Sequence, residues 1–412
     1  MIASAQLAAR VEALLAGDTD VIADPYPLFA ELRDTAPVFR AAGGVVLTRW
    51  DDVVTALRDS RFTNLKGGSA QDRAELERAG FEQRRRIQEY TAWSSDMMSR
   101  HDPPRHTVLR GLFNRAFTPR RIAALTQTIE HSTDELLAAA APGEPFDLVG
   151  GLAAPLPMRV ICDLLGVAPP DRELVYEGSE ALAAILGLGY RALPDHWDTI
   201  LRFRSHLLEA IEHRREEPGD DLLSAVVAEQ PDDVSDEALS AIVLHLLFAG
   251  HETTTNLIGN CALALLRHPD QLARVRDDPQ AVAPAVEETL RWDAPSQFTH
   301  RVTAERVELV GGAIGPQELV KVFLAAANRD PAAHVEPDRF DVDRGDLRHT
   351  GFGLGIHFCI GAPLARLEAR IAIRAIVARR PELASDRVEY RANPMLRGLR
   401  ALPVRFGEAG GG

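Results

Sequence analysis

Apolar residues recur at helical spacing along most of the chain, and polar residues fill the positions between them. Where this period stops at proline, glycine or a capping residue, we place a helix boundary. The pattern predicts helices over residues 26–38, 51–59, 70–90, 105–115, 119–139, 152–166, 172–186, 195–216, 220–228, 236–267, 270–276, 280–291 and 362–379. The fold is therefore predicted to be mainly α-helical.

The longest predicted helix covers 236–267. Ser235 is a typical N-cap, Asp236 and Glu237 favour the positive end of the helix dipole, and Pro269 follows the last turn. At ~1.5 Å per residue this helix would be roughly 48 Å long, enough to cross a whole domain. Its first half is apolar on almost every side, which predicts a buried central helix.

Alternating apolar and polar residues, the pattern of half-buried strands, occur only in short stretches. The predicted hairpins lie at 38–49 around Gly43-Gly44, at 308–328 around Gly311-Gly312 and Gly315-Pro316, and at RVEYR with LRALPVRF near the C-terminus. We find no repeat and no long polar linker, so we predict one domain, 1–412, with small β-sheets and flexible ends at about 1–20 and 407–412. The charged stretch 66–100 is either a mobile surface segment or an ordinary solvated helix.

Composition narrows the possible partners. With 46 basic and 60 acidic residues the formal net charge is -14, which argues against general binding to nucleic acid or to an anionic membrane. The most apolar run, 241–250, is interrupted by His245 and has about half the ~20 residues that a bilayer crossing needs. The N-terminus has no cationic leader, and the three cysteines lack the spacing of a disulfide framework or a zinc site. We expect a reducing, cytoplasmic location.

The centre of the long helix, AGHETTTN, conflicts with its surroundings. Gly250 and the threonines that begin at Thr253 are poor helix formers in the turn that should be most regular. Glycine lets a ligand lie against a helix, a threonine hydroxyl can hydrogen-bond a guest, and Glu252 can relay a proton. The same motif is also explained by a glycine that allows close packing and by threonines that hydrogen-bond the preceding turn of the helix. This stretch alone leaves both interpretations open.

A glycine-rich turn, FGLGIHFCIG, holds Cys359 just before the last long helix. The helix dipole and the backbone amides exposed by glycine favour thiolate over thiol, and a thiolate is a nucleophile or a metal ligand. Two further pairs lie on single helix faces: Glu288 with Arg291, spaced as an ion pair, and His106 with Arg110, spaced to bind a carboxylate or phosphate. Each pair, taken alone, could equally be two solvent-exposed charged residues on the surface of a helix.

Together these motifs resemble the cytochrome P450 family in order, from about Asp24 to Phe406. FGLGIHFCIG resembles its heme-ligand loop, AGHETT its oxygen-activation motif, EETLR its Glu-x-x-Arg pair, and NRDP with EPDRF its meander region. The segments HDPPRHTVLR, FTPRRI and QFTHR are similar to those of soluble bacterial members of the family. The resemblance implies the cytochrome P450 fold, a triangular helical prism in one domain, with the long central helix over heme b (iron protoporphyrin IX).

By this resemblance Cys359 is the thiolate ligand of the heme iron, with Phe352 packed beside the heme. The implied heme-binding residues are Cys359, His106, Arg110, Arg301, His357, Phe352, Gly353, Ala249, Gly250 and Gly361, and His106, Arg110, Arg301 and His357 would bind the propionates. Thr253 would hydrogen-bond the activated oxygen, and Glu252 would help deliver protons. Glu288 and Arg291 would be structural, with Arg339 as the third member of their network.

The resemblance also implies a substrate pocket and redox partners. Substrate contacts are expected from His245, Phe248, Ala249, Ala294, Ser296, Gln297, Met395 and Leu396. His245 lies in an otherwise apolar stripe, where it binds a polar group of the substrate or is satisfied by a carbonyl or water. Electrons are expected from a ferredoxin and its ferredoxin reductase, docked on basic residues near Cys359, among them Arg110, Arg120, Arg121, Arg366 and Arg370.

The implied reaction is a monooxygenation that hydroxylates or epoxidises a small organic molecule with O2, in bacterial secondary metabolism. Oxidative coupling of an aromatic substrate on the same fold is an alternative that the sequence leaves open. A heme-thiolate sensor without turnover is a second alternative, and the presence of both Glu252 and Thr253 argues against it.

Overall fold

The computed structural model describes residues 2–41, 43–64 and 76–407, and helices dominate them. The helices are α1 (Ile2–Ala16), α2 (Thr19–Ala23), α3 (Tyr26–Thr35), α4 (Trp50–Arg58), α5 (Phe81–Ser94), α6 (Arg105–Ala116), α7 (Pro119–Ala124), α8 (Thr126–Leu137), α9 (Pro155–Leu165), α10 (Arg172–Leu188), α11 (Leu193–Glu216), α12 (Leu222–Ala228), α13 (Asp236–Arg267), α14 (Pro269–Asp277), α15 (Val282–Trp292), α16 (Leu324–Ala327) and α17 (Ala362–Ala378). None of these helices is both long and apolar enough to cross a membrane.

The strands form four small sheets. They are β1 (Val38–Ala41), β2 (Gly44–Leu47), β3 (Phe62–Thr63), β4 (Pro145–Asp147), β5 (Phe298–Thr303), β6 (Val307–Leu309), β7 (Gly312–Ile314), β8 (Leu319–Phe323), β9 (Pro381–Leu383), β10 (Glu389–Tyr390), β11 (Leu399–Ala401) and β12 (Pro403–Phe406). The largest sheet has the order β1-β2-β8-β5-β3, in which only the β2–β8 pair is parallel. The others are β4-β12-β9, β6-β7 and β10-β11.

The central helix α13 organises the core. It begins at Ser235, whose side chain accepts a hydrogen bond from the Ala238 amide, and most of its residues are buried. It packs against α9, α10, α11, α15 and α17. Burial of each Leu or Ile contributes about 1.5–3 kcal/mol, so packing holds this helix together despite the poor helix formers at its centre. The predicted bounds of α13, 236–267, are confirmed.

Other predictions from periodicity have mixed outcomes. The hairpins β1–β2 and β6–β7 and the pair β10–β11 are confirmed, whereas 119–139 divides into α7 and α8 at Leu125. Residues 65–75, the first part of the stretch 66–100, lie outside the described residues, and α5 occupies its later part. The N-terminal segment, expected to be flexible, forms α1 and α2, and α1 buries Leu7, Val11 and Leu14. Residues 408–412 also lie outside the described residues.

The predicted hairpin system at 308–328 is only partly correct. After β7 the chain does not fold back on itself. Instead β8 inserts between β2 and β5, with Val320 opposite both Val45 and Arg301. All five side chains of β8 are buried, and residues 324–327 turn into α16. A strand buried on both faces carries no alternating pattern, so sequence alone could not place it.

Candidate active site

Cys359 lies in a tight loop between a 3₁₀ turn and α17. The Cys359 amide donates to the Phe352 carbonyl oxygen over 2.9 Å, which closes the loop around the thiol. Gly353 and Gly355 have φ angles of 68° and 71°, a left-handed conformation that favours glycine. A Cβ on Gly355 would lie 2.7 Å from the Leu57 carbonyl oxygen, so at this glycine the close approach is made by α4.

The Cys359 side chain lines a cavity and is otherwise enclosed. Burial raises the pKa of this thiol, while hydrogen bonds from the backbone of Gly361 and Ala362 and the charge of Arg110 act to lower it. A Cβ on Gly361 would lie 3.9 Å from the sulfur, so this residue borders it directly. A buried sulfur that faces N–H donors suits a metal ion, whose positive charge favours the thiolate.

The four residues expected to bind propionates converge on one another. The imidazole rings of His106 and His357 lie 4.1 Å apart between their centroids. Burial lowers the pKa of His357 to about 3, and the charges of Arg301, His106 and Arg110 add to this effect. Arg110 donates to the Phe358 carbonyl oxygen over 2.7 Å, at the edge of the Cys359 loop. His357 and Arg301 line the cavity directly, whereas His106 and Arg110 stand behind them.

This donor cluster fits the two carboxylates of a heme. The buried Arg301 guanidinium donates to the His300 carbonyl oxygen over 2.7 Å, but within the described ranges no carboxylate lies within 4.0 Å of it. Burial lowers the pKa of Arg301 to about 10. The buried His106 Nε2 has no hydrogen-bond partner among the residues that the structure describes. Buried donors without acceptors are rare, so this edge of the cavity is built for an anionic guest.

Asn64 supports this cluster and was not predicted from the sequence. Its side-chain nitrogen lies 2.5 Å from His357 Nε2 and donates to Asp102 Oδ1 over 2.9 Å. Its backbone amide also bonds the Asp102 carboxylate. Asn64 therefore ties the end of β3 to the loop before α6 and orients His357. A single asparagine after a two-residue strand offers no signal of such a role.

The centre of α13 also lines the cavity, through Ala249, Gly250 and Thr253. The Thr253 hydroxyl donates to the Ala249 carbonyl oxygen over 2.7 Å. The interpretation of Thr253 as bonded to the preceding turn is confirmed. Its role toward a guest stays a prediction, since Thr253 also lines the cavity, where its oxygen can accept a hydrogen bond. A Cβ on Gly250 would lie 3.2 Å from the Ile161 side chain, so this glycine also lets α9 approach.

Glu252 is buried and, unlike Thr253, does not line the cavity. The Arg391 guanidinium donates to its carboxylate over 2.9 Å and to Glu180 of α10 over 2.7 Å. Burial and the hydrogen bond with Glu180 raise the pKa of Glu252 to about 8. The pKa of Glu180 is lowered, because the hydrogen bond with Glu252 and the charge of Arg391 outweigh its burial. The two carboxyl groups thus share a proton near neutral pH.

Glu368 is a second buried acid at the cavity that the sequence did not bring out. It lies on α17, lines the cavity beside the Cys359 loop, and its Oε2 has no partner in the described part of the chain. Burial raises its pKa well above the ordinary value, which makes it a neutral acid. The only signal was one charged residue on the buried face of a predicted helix.

Most of the expected substrate contacts line this same cavity, whose volume is ≈ 410 Å³. They are His245, Phe248, Ala249, Ser296, Met395 and Leu396. The Ser99 hydroxyl lies 3.4 Å from His245 Nε2, so this imidazole has a polar neighbour as well as a face toward the cavity. Burial lowers the pKa of His245 to about 4, which leaves it neutral near pH 7.

Ala294 and Gln297 do not line the cavity, contrary to expectation. The Gln297 side-chain amide donates back to the Ala294 carbonyl oxygen over 2.7 Å, and its backbone amide bonds the Met395 carbonyl oxygen. Ser296 pairs with Leu396 in a β-bridge, and both line the cavity. Along extended backbone successive residues face opposite sides, so Gln297, next to Ser296, points into the protein, whereas Pro295 lines the cavity.

The Glu288–Arg291 pair is structural and lies away from the cavity. Both side chains are fully buried and joined by two hydrogen bonds of 2.7 and 2.8 Å. The third side chain is Arg344, which donates to both Glu288 oxygens over 3.2 Å. The expectation of Arg339 was wrong, because Arg339 is exposed, pairs with Glu336 and offers Arg291 only its backbone carbonyl. The rest of the motif is confirmed as a buried ion pair.

The chain is similar to known proteins over most of its length. A family model described as cytochrome P450 matches residues 179–380. The chain is 41% identical to 6-deoxyerythronolide B hydroxylase of Saccharopolyspora erythraea, over 93% of this chain and 96% of that protein. It is also 41% identical to the cytochrome P450 monooxygenase PikC of Streptomyces venezuelae, over 94% and 92%.

A solved structure confirms the fold expected from the sequence motifs. The crystal structure of P450BioI in complex with hexadec-9Z-enoic acid ligated acyl carrier protein superposes with a TM-score of 0.86 at 31% identity. The superposition covers 94% of this chain and 99% of that one. Similarity therefore extends over nearly the whole chain.

Proposed function

The chain belongs to the cytochrome P450 family of heme-iron monooxygenases, and from that premise we propose that it inserts one oxygen atom of O2 into a small organic substrate, by hydroxylation or epoxidation. The second oxygen atom leaves as water. Its formation takes two protons, delivered through the chain, and two electrons from a redox partner. One observation carries the proposal: Cys359 and three residues of α13, Ala249, Gly250 and Thr253, line the same cavity. A heme held in this cavity would take the Cys359 thiolate as its ligand, and the remaining space along α13 would admit O2 and substrate.

We propose heme b as the cofactor, with Cys359 as the ligand of its iron. His106, Arg110, Arg301 and His357 would hold its two propionates, since this cluster carries donors without acceptors. When bound, the heme supplies the reductive activation of O2, chemistry that no amino-acid side chain provides. The remaining tasks belong to the chain: it positions the substrate, limits the access of water and supplies protons.

Thr253 and Glu252 are the residues we assign to proton delivery. The Thr253 hydroxyl gives its own hydrogen to Ala249, so its oxygen accepts a hydrogen bond from a group in the cavity. Glu252 stores a proton near pH 7, because its pKa is raised to about 8 by burial and by Glu180. Its carboxyl group must rotate away from Arg391 to reach the cavity, so proton supply depends on release of this hydrogen bond.

We propose that a ferredoxin, reduced by its ferredoxin reductase, docks on the face that carries Cys359. Arg120, Arg121 and Arg370 are exposed there, and we call these three residues the proximal basic face. Arg366 also lies close by, but Glu287 pairs with it over 2.6 Å and neutralises its charge. We retain the cytoplasm as the proposed location, because the three cysteines are free thiols.

The decisive experiment is the absorption spectrum of the reduced protein with carbon monoxide. The wild-type protein should give the shifted band of thiolate-ligated heme, and Cys359→Ala should lose it. Cys162→Ala and Cys261→Ala are matched controls, since both thiols are buried outside the cavity lining and should not affect the band. A band that survived in Cys359→Ala would refute the assignment of the iron ligand.

Product analysis then separates the two catalytic alternatives. Compounds are screened for a substrate-induced spin-state shift and turned over with a surrogate ferredoxin system. Under our proposal the product contains one added oxygen atom derived from O2. A cross-linked product without that atom would support oxidative coupling instead. Binding without oxygen consumption would support a sensor.

Because 6-deoxyerythronolide B hydroxylase is similar over most of its length, we place the reaction in bacterial secondary metabolism.

A further inference from the structure

Arg100 places a positive charge at the cavity that the heme does not account for. It ends a 3₁₀ turn, Met98–Arg100, and lines the cavity with its side chain half-buried. Across residues 2–41, 43–64 and 76–407, no carboxylate lies within 4.0 Å of its guanidinium. A ligand that filled the cavity would shield this guanidinium from water, and a shielded charge without an anionic partner is costly, so an anion is expected there.

Three polar residues line the same cavity as Arg100: Ser99, His245 and His300. Ser99 and His245 contact each other and line the same part of the cavity, and His300 lines it from β5. Burial lowers the pKa of His245 to about 4 and that of His300 to about 3, and the Arg100 charge adds to both shifts. Near pH 7 these groups are therefore neutral hydrogen-bond donors or acceptors beside Arg100, and the charges of Lys321 and Arg301 also act on His300.

A count of charges separates Arg100 from the heme site. Heme b carries two propionates, and Arg110 and Arg301, with the His106–His357 pair, already provide one guanidinium for each. The negative charge of the Cys359 thiolate and the two negative charges of the porphyrin nitrogens would balance the three positive charges of a ferric iron. Glu368, the acidic residue that lines the cavity within the described chain, is buried, and burial raises its pKa well above the usual range and disfavours a negative charge there. Arg100 is left without a counter-charge.

We propose that Arg100, assisted by Ser99 and His245, binds a carboxylate of the substrate, so that this enzyme oxidises an organic acid. This inference rests on the proposed monooxygenase function and adds the substrate class. The rest of the cavity wall, with Phe248, Met395 and Leu396, would take an apolar body attached to the acid. The carboxylate then fixes which carbon of that body lies over the heme.

The proposal can be tested before the natural substrate is known. The probes are ω-(imidazol-1-yl)alkanoic acids of graded chain length and the matching primary amides. Their imidazole ligates the heme iron, gives a spectral shift and leaves the acid or amide end to explore the distal cavity. At the best chain length, the carboxylate should bind wild-type holoenzyme roughly tenfold more tightly than the amide, as a charge-assisted hydrogen bond predicts.

Variants assign this preference to Arg100. In Arg100→Gln the preference for the acid should disappear, whereas Arg100→Lys should keep most of it. Arg306→Gln is the matched control, because it removes the same charge from an exposed position. Equal binding of acids and amides to wild-type protein at every chain length, or an acid preference unchanged in Arg100→Gln, would overturn the proposal.

Heme content distinguishes the two possible sources of a carboxylate. If Arg100→Gln bound heme less tightly than the wild-type protein did, Arg100 would belong to the propionate cluster and the proposal would be wrong. We expect equal heme content and an equal carbon monoxide band. Failure of the proposed function itself looks different, because the wild-type protein would then lack that band.

Discussion

The proton on Glu252 depends on its neighbour Glu180, and this dependence predicts a pH profile. The pKa of Glu252 is raised to about 8, so the group is protonated below that pH and loses its proton as the pH rises. Turnover by the wild-type enzyme should therefore fall above about pH 8. Glu180→Gln removes the carboxylate that favours the protonated form, so the falling limb should move to lower pH by about one unit.

The measurement is the pH dependence of substrate-dependent oxygen consumption with a surrogate reductase. Glu177→Gln is the matched control, since Glu177 lies one turn earlier on α10 and pairs with Arg202 at the surface. Its profile should match that of the wild-type enzyme. If turnover fell at the same pH in the wild-type enzyme, Glu180→Gln and Glu177→Gln, Glu252 would not be the group that supplies the proton.

The buried network around Glu288 predicts a contrast between two arginines. The Arg344 side chain is 10% exposed and bonds Glu288 and three backbone carbonyl oxygens. The Arg339 side chain is 56% exposed. Arg344→Ala removes one of the two cations that bond the buried Glu288 carboxylate, while Arg291 stays paired with it, and it should lower the free energy of unfolding by about 1.5–3 kcal/mol. Arg339→Ala should change it by less than about 1 kcal/mol. Urea unfolding followed by circular dichroism measures both, and equal losses would contradict the assignment of Arg344.

Helix α13 illustrates what local pattern could predict. Its N-cap, its apolar surface and its end before Pro269 are all local features, and its bounds follow from them. Strand β8 has no such features, because pairing with β2 and β5 joins residues far apart in the chain. Sequence spacing identified Glu252 and Thr253 but not Arg391, which approaches Glu252 from 139 residues away. Arg344 was missed for the same reason.

The contact between the Cys359 loop and α4 gives a prediction for two glycines. Gly355→Ala would force alanine to φ 71°, which costs about 1–2 kcal/mol, and would press its Cβ against the Leu57 carbonyl oxygen. The loop should shift and release heme faster, which transfer of heme to apomyoglobin measures. Gly345→Ala is the control, since a Cβ there meets no atom within 4 Å. Equal heme release from both variants would show that this contact does not hold the loop.

The distribution of charge over the protein predicts how electrons arrive. The chain has a formal net charge of -14, yet Arg120, Arg121 and Arg370 of the proximal basic face are exposed on the Cys359 side. An acidic ferredoxin is repelled by most of the surface and attracted to this face, which orients its approach. Arg120→Glu with Arg121→Glu should slow reduction by an acidic ferredoxin at low salt by about tenfold or more. Stopped-flow reduction of the heme under carbon monoxide measures this rate.

Salt and a matched double variant make this test specific. Added salt screens exposed charges, so the difference from the wild-type protein should shrink as ionic strength rises. Arg306→Glu with Arg387→Glu introduces the same change of charge at two exposed positions of other strand regions and should slow the reaction far less. Dithionite reduction should give an undiminished carbon monoxide band in both double variants, since neither pair touches the cavity. If both pairs slowed the ferredoxin equally, net charge rather than the proximal basic face would govern the encounter.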